Sequence, residues 1–222
     1  MDADDPYYAI GQQIVDELGI GAAGRELVSL VGGGGKTTIM LALGTVLPGA
    51  ILTTTTKVGA DQVPDGFVSL GTRDGKLLGI TAAAADALFA RVSGHVVVEA
   101  DGSRMHRVKA PAPHEPVIPS RTTFVIAVMG ADAIDRVFED VAHRPNRLAA
   151  VVGCGPYDRL TPARAATLLT SDRGMHKGVP AGARYAVVLT RIAPEQRVLA
   201  AAVAALLAPT ITCVQIPFQD LG

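Results

Sequence analysis

The run Leu27-Val28-Ser29-Leu30-Val31-Gly32-Gly33-Gly34-Gly35-Lys36-Thr37-Thr38, followed at once by Ile39-Met40-Leu41-Ala42-Leu43, decides the fold. An apolar strand-like stretch breaks into four glycines, and Lys-Thr-Thr then opens a helical stretch. That is the context a phosphate-cradling loop requires. Gly32, Gly33, Gly34 and Gly35 carry no Cβ, so their backbone N–H groups can converge on phosphate oxygens, and the helix start adds positive potential. Lys36, expected at an exposed helix start, would reach the terminal phosphates. The Thr37 hydroxyl would ligate Mg²⁺, with Thr38 beside it. One departure from the full eight-residue pattern stands out: Leu30 occupies the position of its first glycine. What fits is the shortened form Gly32-x-x-Gly35-Lys36-Thr37.

Working outward, further strands are expected at Ala50–Thr55, Phe67–Leu70, His95–Ala100, Thr123–Met129, Tyr185–Thr190 and Thr210–Ile216. Helices are expected at Tyr7–Leu18, Lys36–Val46, Ala82–Val92, Pro162–Leu169 and Pro194–Leu207. Several strands are unbroken apolar runs such as Val96-Val97-Val98, the pattern of strands covered on both faces. Strands alternating with helices predict one doubly wound α/β domain over residues 1–222, with a mostly parallel sheet of the P-loop type. Residues 1–24 read as a helical lead-in, and 102–122, with prolines from Pro111 to Pro119, as a loop on the substrate side.

Composition narrows the function. Of 222 residues 49% are hydrophobic and 18% charged, and 20 Lys+Arg stand against 21 Asp+Glu. A chain of this length buries roughly 70% of its unfolded surface, enough for a core without staples. The balanced charge excludes binding to nucleic acid by bulk electrostatics and gives no polybasic membrane anchor. The longest apolar stretch, Val198 to Ala208, falls well short of the ~20 residues of a spanning helix. The acidic start Met1-Asp2-Ala3-Asp4-Asp5 is unlike an export signal, so a cytoplasmic location is expected. Two scattered cysteines, Cys154 and Cys213, make no zinc or disulfide framework.

A phosphate loop needs a carboxylate at a neighbouring strand end to hold Mg²⁺. Val96-Val97-Val98-Glu99-Ala100-Asp101-Gly102-Ser103 offers two, Glu99 and Asp101, two apart and so on one side of an extended chain. Asp101 is expected on the metal and Glu99 on the attacking hydroxyl or water. Thr53-Thr54-Thr55-Thr56-Lys57 closes the second strand, where Thr55 and Lys57 would face the γ-phosphate or a second substrate.

Ser29–Thr38, Thr53–Val58, Glu99–Ser103, Lys109–Pro119 and Val141–Pro145 together resemble the YqeC family, associated with maturation of selenium-dependent molybdenum hydroxylases. The resemblance spans nearly the whole chain. It implies a P-loop nucleotide-binding fold, an accessory role toward a molybdenum enzyme, and residues 32–38 on the nucleotide. It also implies that Ser103, Arg104, Lys109, His114, Glu115, His143 and Arg144 serve a second substrate. On the residues alone, cations just after Asp101 could neutralise a transferring phosphoryl group. The flanking prolines Pro113 and Pro116 would present His114 and Glu115 stiffly, which suits proton transfer by His114. His143-Arg144-Pro145 also reads as an ordinary helix end, where the dipole favours cations.

The strand end Leu189-Thr190-Arg191-Ile192-Ala193 lacks a guanine-reading acid, since Ala193 stands in its place. ATP is then expected by frequency. The expected activity is Mg²⁺-dependent nucleotide hydrolysis or phosphoryl or nucleotidyl transfer to a small molecule. The alternative is a nucleotide-gated interaction protein acting on a client enzyme with little turnover of its own. A ligase forming an acyl-phosphate is a weaker third reading, because it expects a further domain beyond Gly222.

Overall fold

The computed structural model describes residues 5–59, 63–64, 67–73 and 76–219; the acidic start up to Asp4 and the chain end from 220 lie outside them. The chain opens with α1 (Pro6–Leu18), which Asp5 caps by accepting from the Tyr7 N–H and Gly19 closes in a left-handed turn. Then come β1 (Leu27–Gly32), α2 (Lys36–Val46) and β2 (Ile51–Thr54). A small antiparallel ribbon follows, made of β3 (Lys57–Gly59), β4 (Thr72–Arg73) and β5 (Lys76–Leu78). After α3 (Ala82–Arg91) come β6 (Val96–Glu99), β7 (Val108–Lys109), β8 (Phe124–Gly130), α4 (Phe138–Val141), β9 (Ala142–His143) and α5 (Pro145–Val152). The chain finishes with α6 (Pro162–Thr170), β10 (Arg184–Ile192), α7 (Arg197–Leu207) and β11 (Thr212–Pro217).

Six strands form one parallel sheet in the order β11-β10-β8-β1-β6-β2. Alternate residues of a strand point to opposite faces, and β1 shows the division. Val28 and Leu30 pack with Ile14 of α1 and Ile39 and Leu43 of α2. Leu27 packs with Phe89 of α3, and Val31 with Leu148 of α5, Leu168 of α6 and Val203 of α7. Helices thus cover both faces, as the unbroken apolar strands require. Because every strand of the sheet runs the same way, Gly32, Thr54, Glu99, Gly130 and Ile192 end at a single edge. Open α/β sheets bind ligands at such an edge.

The structure departs from expectation in three places. Phe67–Leu70 is no sheet strand: Val68 makes an isolated bridge to Thr53, Phe67 and Val68 dock against the core, and Leu70 lies exposed. His143 and Arg144 stand between two helices, just past the end of α4 at Val141 and just before α5. Pro145 opens α5, where its missing N–H costs nothing. The stretch 102–122 is not all open loop, because Val108–Ala112 is buried and β7 pairs in parallel with β9, Lys109 opposite His143.

The glycine turn is tightly confined. At Gly32 φ is 99°, and a Cβ there would meet the Val128 carbonyl oxygen at 2.3 Å. Gly102, by contrast, has open space around it and no positive φ. Gly32→Ala should therefore cost at least ~2 kcal/mol in urea unfolding, whereas Gly102→Ala should stay within ~0.5 kcal/mol. Equal midpoints for the two variants would contradict this packing.

Candidate functional site

The turn after β1 folds Lys36 inward. Its Nζ donates to the Gly32 carbonyl at 2.7 Å and pairs with Asp101 Oδ1 at 3.3 Å and Glu99 Oε1 at 3.6 Å. Lys36 is 3% exposed, so the expected exposed helix start is not what forms. Burial alone would drive its pKa down, but Asp101 and then Glu99 outweigh that and hold it above the ordinary lysine value. Lys36 is a charged cation fixed at the mouth of the glycine turn.

The two acids at the end of β6 differ in their surroundings. Asp101, 2% exposed, accepts the Gly32 N–H on both oxygens at 3.1 Å and pairs through Oδ2 with Lys109 at 3.2 Å. Its lone pairs are consumed by the protein. Glu99 lines the cleft above the sheet edge, and its Oε2 accepts from the Thr37 hydroxyl at 3.2 Å. Glu99, itself 7% exposed, is the acid that borders the cleft beside Thr37, while Asp101, expected on the metal, is turned to the glycine turn.

From Asp101 a line of alternating charge crosses the protein. Lys109 is fully buried and donates to Glu115 Oε2 at 2.9 Å and to the Gly102 carbonyl at 2.7 Å. Glu115 in turn accepts from Arg144 Nη1 at 2.7 Å and Nη2 at 3.3 Å. Burial would raise the Glu115 carboxyl, but Arg144, the Ala112 N–H and Lys109 hold it at about 2. His143 is pushed down to about 4 by burial first, then by Arg144, Lys109 and Arg104, so at neutral pH its ring is uncharged. His106 stacks on it with centroids 5.8 Å apart, and among the described residues its buried Nδ1 has no partner.

The remaining expected residues fall around one cleft. Gly34, Gly35, Thr37, Thr38, Thr55, Lys57, Arg104, His114, Glu115, His143 and Arg144 all line it. Gly32, Gly33, Asp101 and Lys109 lie beneath it as support. The threonine run does less at the surface than expected. Thr53 donates to the Val68 carbonyl, Thr54 to the Glu99 carbonyl, and Thr55 to the Val117 carbonyl at 2.8 Å. The last of these ties the end of β2 to the proline loop. His114 and Arg104 are exposed and outside the ion-paired line.

Three contributors were not singled out from the sequence. Lys177 donates to the carbonyls of Ala112, Pro113 and Glu115 at 2.7, 2.8 and 2.6 Å, which clamps the proline loop from a distant connection. Arg107 and Arg191 both donate to Asp132 Oδ2, at 2.9 and 2.8 Å, and both line the cleft. Arg191 sits at the strand end inspected for a base-reading acid, and the acid beside it comes from the turn after β8.

The chain is 31% identical over 212 residues to the uncharacterized protein YqeC of Escherichia coli (strain K12), covering 82% of this chain and 83% of that one. It belongs to the YqeC family. The family model described as YqeC protein matches residues 66–146, which hold Glu99, Asp101, Lys109, Glu115, His143 and Arg144, while the glycine turn lies outside the matched span. No solved structure matches this chain. Among its described residues no helix is long and apolar enough to cross a membrane, and no three His, Cys, Asp or Glu side chains cluster as a metal cage.

Two tests follow from the buried charges. Lys109→Met leaves Asp101 and Glu115 short of a partner and should cost ~3–5 kcal/mol in urea unfolding, whereas Arg159→Ala, which removes an exposed pair at 3.9 Å, should stay within ~0.5 kcal/mol. His143 has its folded pKa below its unfolded value, so its contribution is present above about 6.5 and is lost as pH falls toward about 4. His143→Asn should therefore flatten the fall in melting temperature across that window. An unchanged slope would show that another group carries it.

Proposed function

We propose that this protein binds a nucleoside triphosphate, ATP foremost, with Mg²⁺ at the glycine turn, and hydrolyses it or transfers its phosphoryl or nucleotidyl group. The observation that carries the reading is Lys36. A strand, a turn with positive φ at Gly32, Gly34 and Gly35, and a helix start converge on a buried ammonium held by two carboxylates. Free N–H groups at the α2 start, where Gly35 supplies no side-chain cap, add to the attraction for phosphate.

Mg²⁺ prefers oxygen donors and keeps several waters. Thr37 Oγ1 and Glu99 Oε2 fit that preference as a cleft-facing hydroxyl and carboxylate, and they would hold the metal. When bound, the ion would neutralise charge on the phosphates. Asp101 acts by position: it fixes Lys36 and the Gly32 N–H. The neutral ring of His143 and the exposed ring of His114 are the residues available for proton transfer.

The family resemblance supports an accessory role in maturing a selenium-dependent molybdenum hydroxylase, with that enzyme as client and a small molecule as second substrate. A gated interaction protein would need only the glycine turn and its acids. The ionisable groups spread along the cleft favour an enzyme.

Thermal-shift and calorimetric titration with ATP, with and without Mg²⁺, test this. Glu99→Gln should weaken Mg²⁺-dependent ATP affinity by about tenfold, or 1.4 kcal/mol, while Asp101→Asn should chiefly lower stability and leave the response to Mg²⁺ in place. GTP should bind less than about tenfold tighter than ATP. A parent protein that ATP·Mg²⁺ neither stabilises nor binds would overturn the proposal.

A further inference from the structure

The cleft is larger and more positive than one nucleotide requires. Its volume is about 1790 Å³, against the ~300–1,000 Å³ of a pocket that wraps one small molecule. Among the described residues lining it, seven are lysine or arginine and two, Glu99 and Glu115, are carboxylates, in a chain whose net charge is −1. Of the seven, Lys36 is paired with Glu99 and Asp101, Arg144 with Glu115, and Arg107 and Arg191 share Asp132, so Lys57, Lys76 and Arg104 have no carboxylate partner among the described residues. A magnesium-bound triphosphate brings roughly two net negative charges, which leaves positive charge over.

The surplus includes cations that belong neither to the glycine turn nor to the helix it opens. Arg104 and Lys57 are exposed, and neither side chain makes an ion pair or hydrogen bond with another described residue. Arg104 and Met105 take consecutive left-handed conformations, φ 50° and 65°, and Arg144 a third at 69°. Such strain persists where the surroundings impose it, often at ligand clamps. The surroundings here are fixed. Glu115 holds the Arg144 guanidinium from one side, Lys177 clamps the carbonyls behind Glu115, and the Thr55–Val117 bond fastens the strand that leads to Lys57. Arg104, Arg144 and His143 all line the same cleft, and the two cations both lower the His143 pKa.

We infer that the stretch of cleft wall carrying Lys57, Arg104, His143 and Arg144 binds a second substrate through a phosphate monoester while the glycine turn holds the nucleotide. The inference rests on the nucleotide reading above and names the class of its second substrate. A carboxylate brings one charge and would leave the wall under-neutralised. A phosphate monoester brings close to two and offers three acceptor oxygens to the guanidinium forks.

The test is calorimetry on the full chain at low salt, saturated with Mg²⁺ and the non-hydrolysable analogue AMP-PNP, with inorganic phosphate as the probe. One further equivalent of phosphate should bind. The variant carrying Arg104→Ala and Lys57→Ala should lose phosphate affinity by about tenfold, as expected when charge-assisted hydrogen bonds go, while AMP-PNP affinity stays within about twofold. Saturated protein that takes up no phosphate overturns the inference and leaves the nucleotide reading standing. So does phosphate binding indifferent to the double variant, or equal loss of both ligands, which would assign these cations to the nucleotide itself. Failure of AMP-PNP to bind the parent overturns the nucleotide reading, and the two-ligand cleft falls with it.

Discussion

Five charges in a line, Lys36, Asp101, Lys109, Glu115 and Arg144, constrain everything built around the sheet edge. Four of them are largely withdrawn from water, and a charge in that position is tolerable only with an opposite charge and hydrogen bonds beside it. Each member therefore dictates where the next segment must run. Asp101 holds the glycine turn, Lys109 forces β7 to pass beneath that turn, and Glu115 requires the proline loop to curl back over Lys109. Arg144 then needs the entry to α5 to arrive at the same point. The pairing of β7 with β9, two residues each, is the backbone counterpart of this line.

Such an arrangement specifies geometry more than it adds stability. A well-packed apolar replacement of the whole line could be as stable, while removal of one member leaves its neighbour stranded. The line also separates two kinds of acid within one strand end. Asp101 is satisfied by a backbone N–H and two ammonium groups, whereas Glu99, two residues earlier, keeps one side toward open space and a threonine hydroxyl. Chemistry at this edge is thus divided between a side chain that holds the frame and one that can meet a ligand.

The sheet was legible because its information is local. Continuous apolar runs, glycine stops and the strand–glycine–Lys-Thr–helix sequence each report on their own segment, and five of the six strands expected beyond the glycine turn are strands of the sheet. The candidate site was legible as a set of residues, since nearly every one lines or underlies a single cleft. Their roles were not. Nothing near Lys36 in sequence signals burial, and nothing near Asp101 says that its oxygens point inward. Pro145 reads equally as the end of one helix or the start of another, because its fixed φ suits both. Lys177 reaches a carbonyl 65 residues away, a contact with no periodic trace in the chain.

The glycine turn is gripped by atoms of three other segments. The Thr190 hydroxyl donates to the Gly34 carbonyl, the Gly33 N–H donates to the Val128 carbonyl at 2.9 Å, and Gly130 and Arg107 wall Gly34 in from behind. The directions of its N–H groups are consequently set when the chain folds. The conformational entropy of ordering this loop is lost once, during folding, and not again at each encounter with an anion. An anion meeting this turn would dock onto a fixed surface, at a rate set by diffusion and the attraction of opposite charge instead of by rearrangement of the loop.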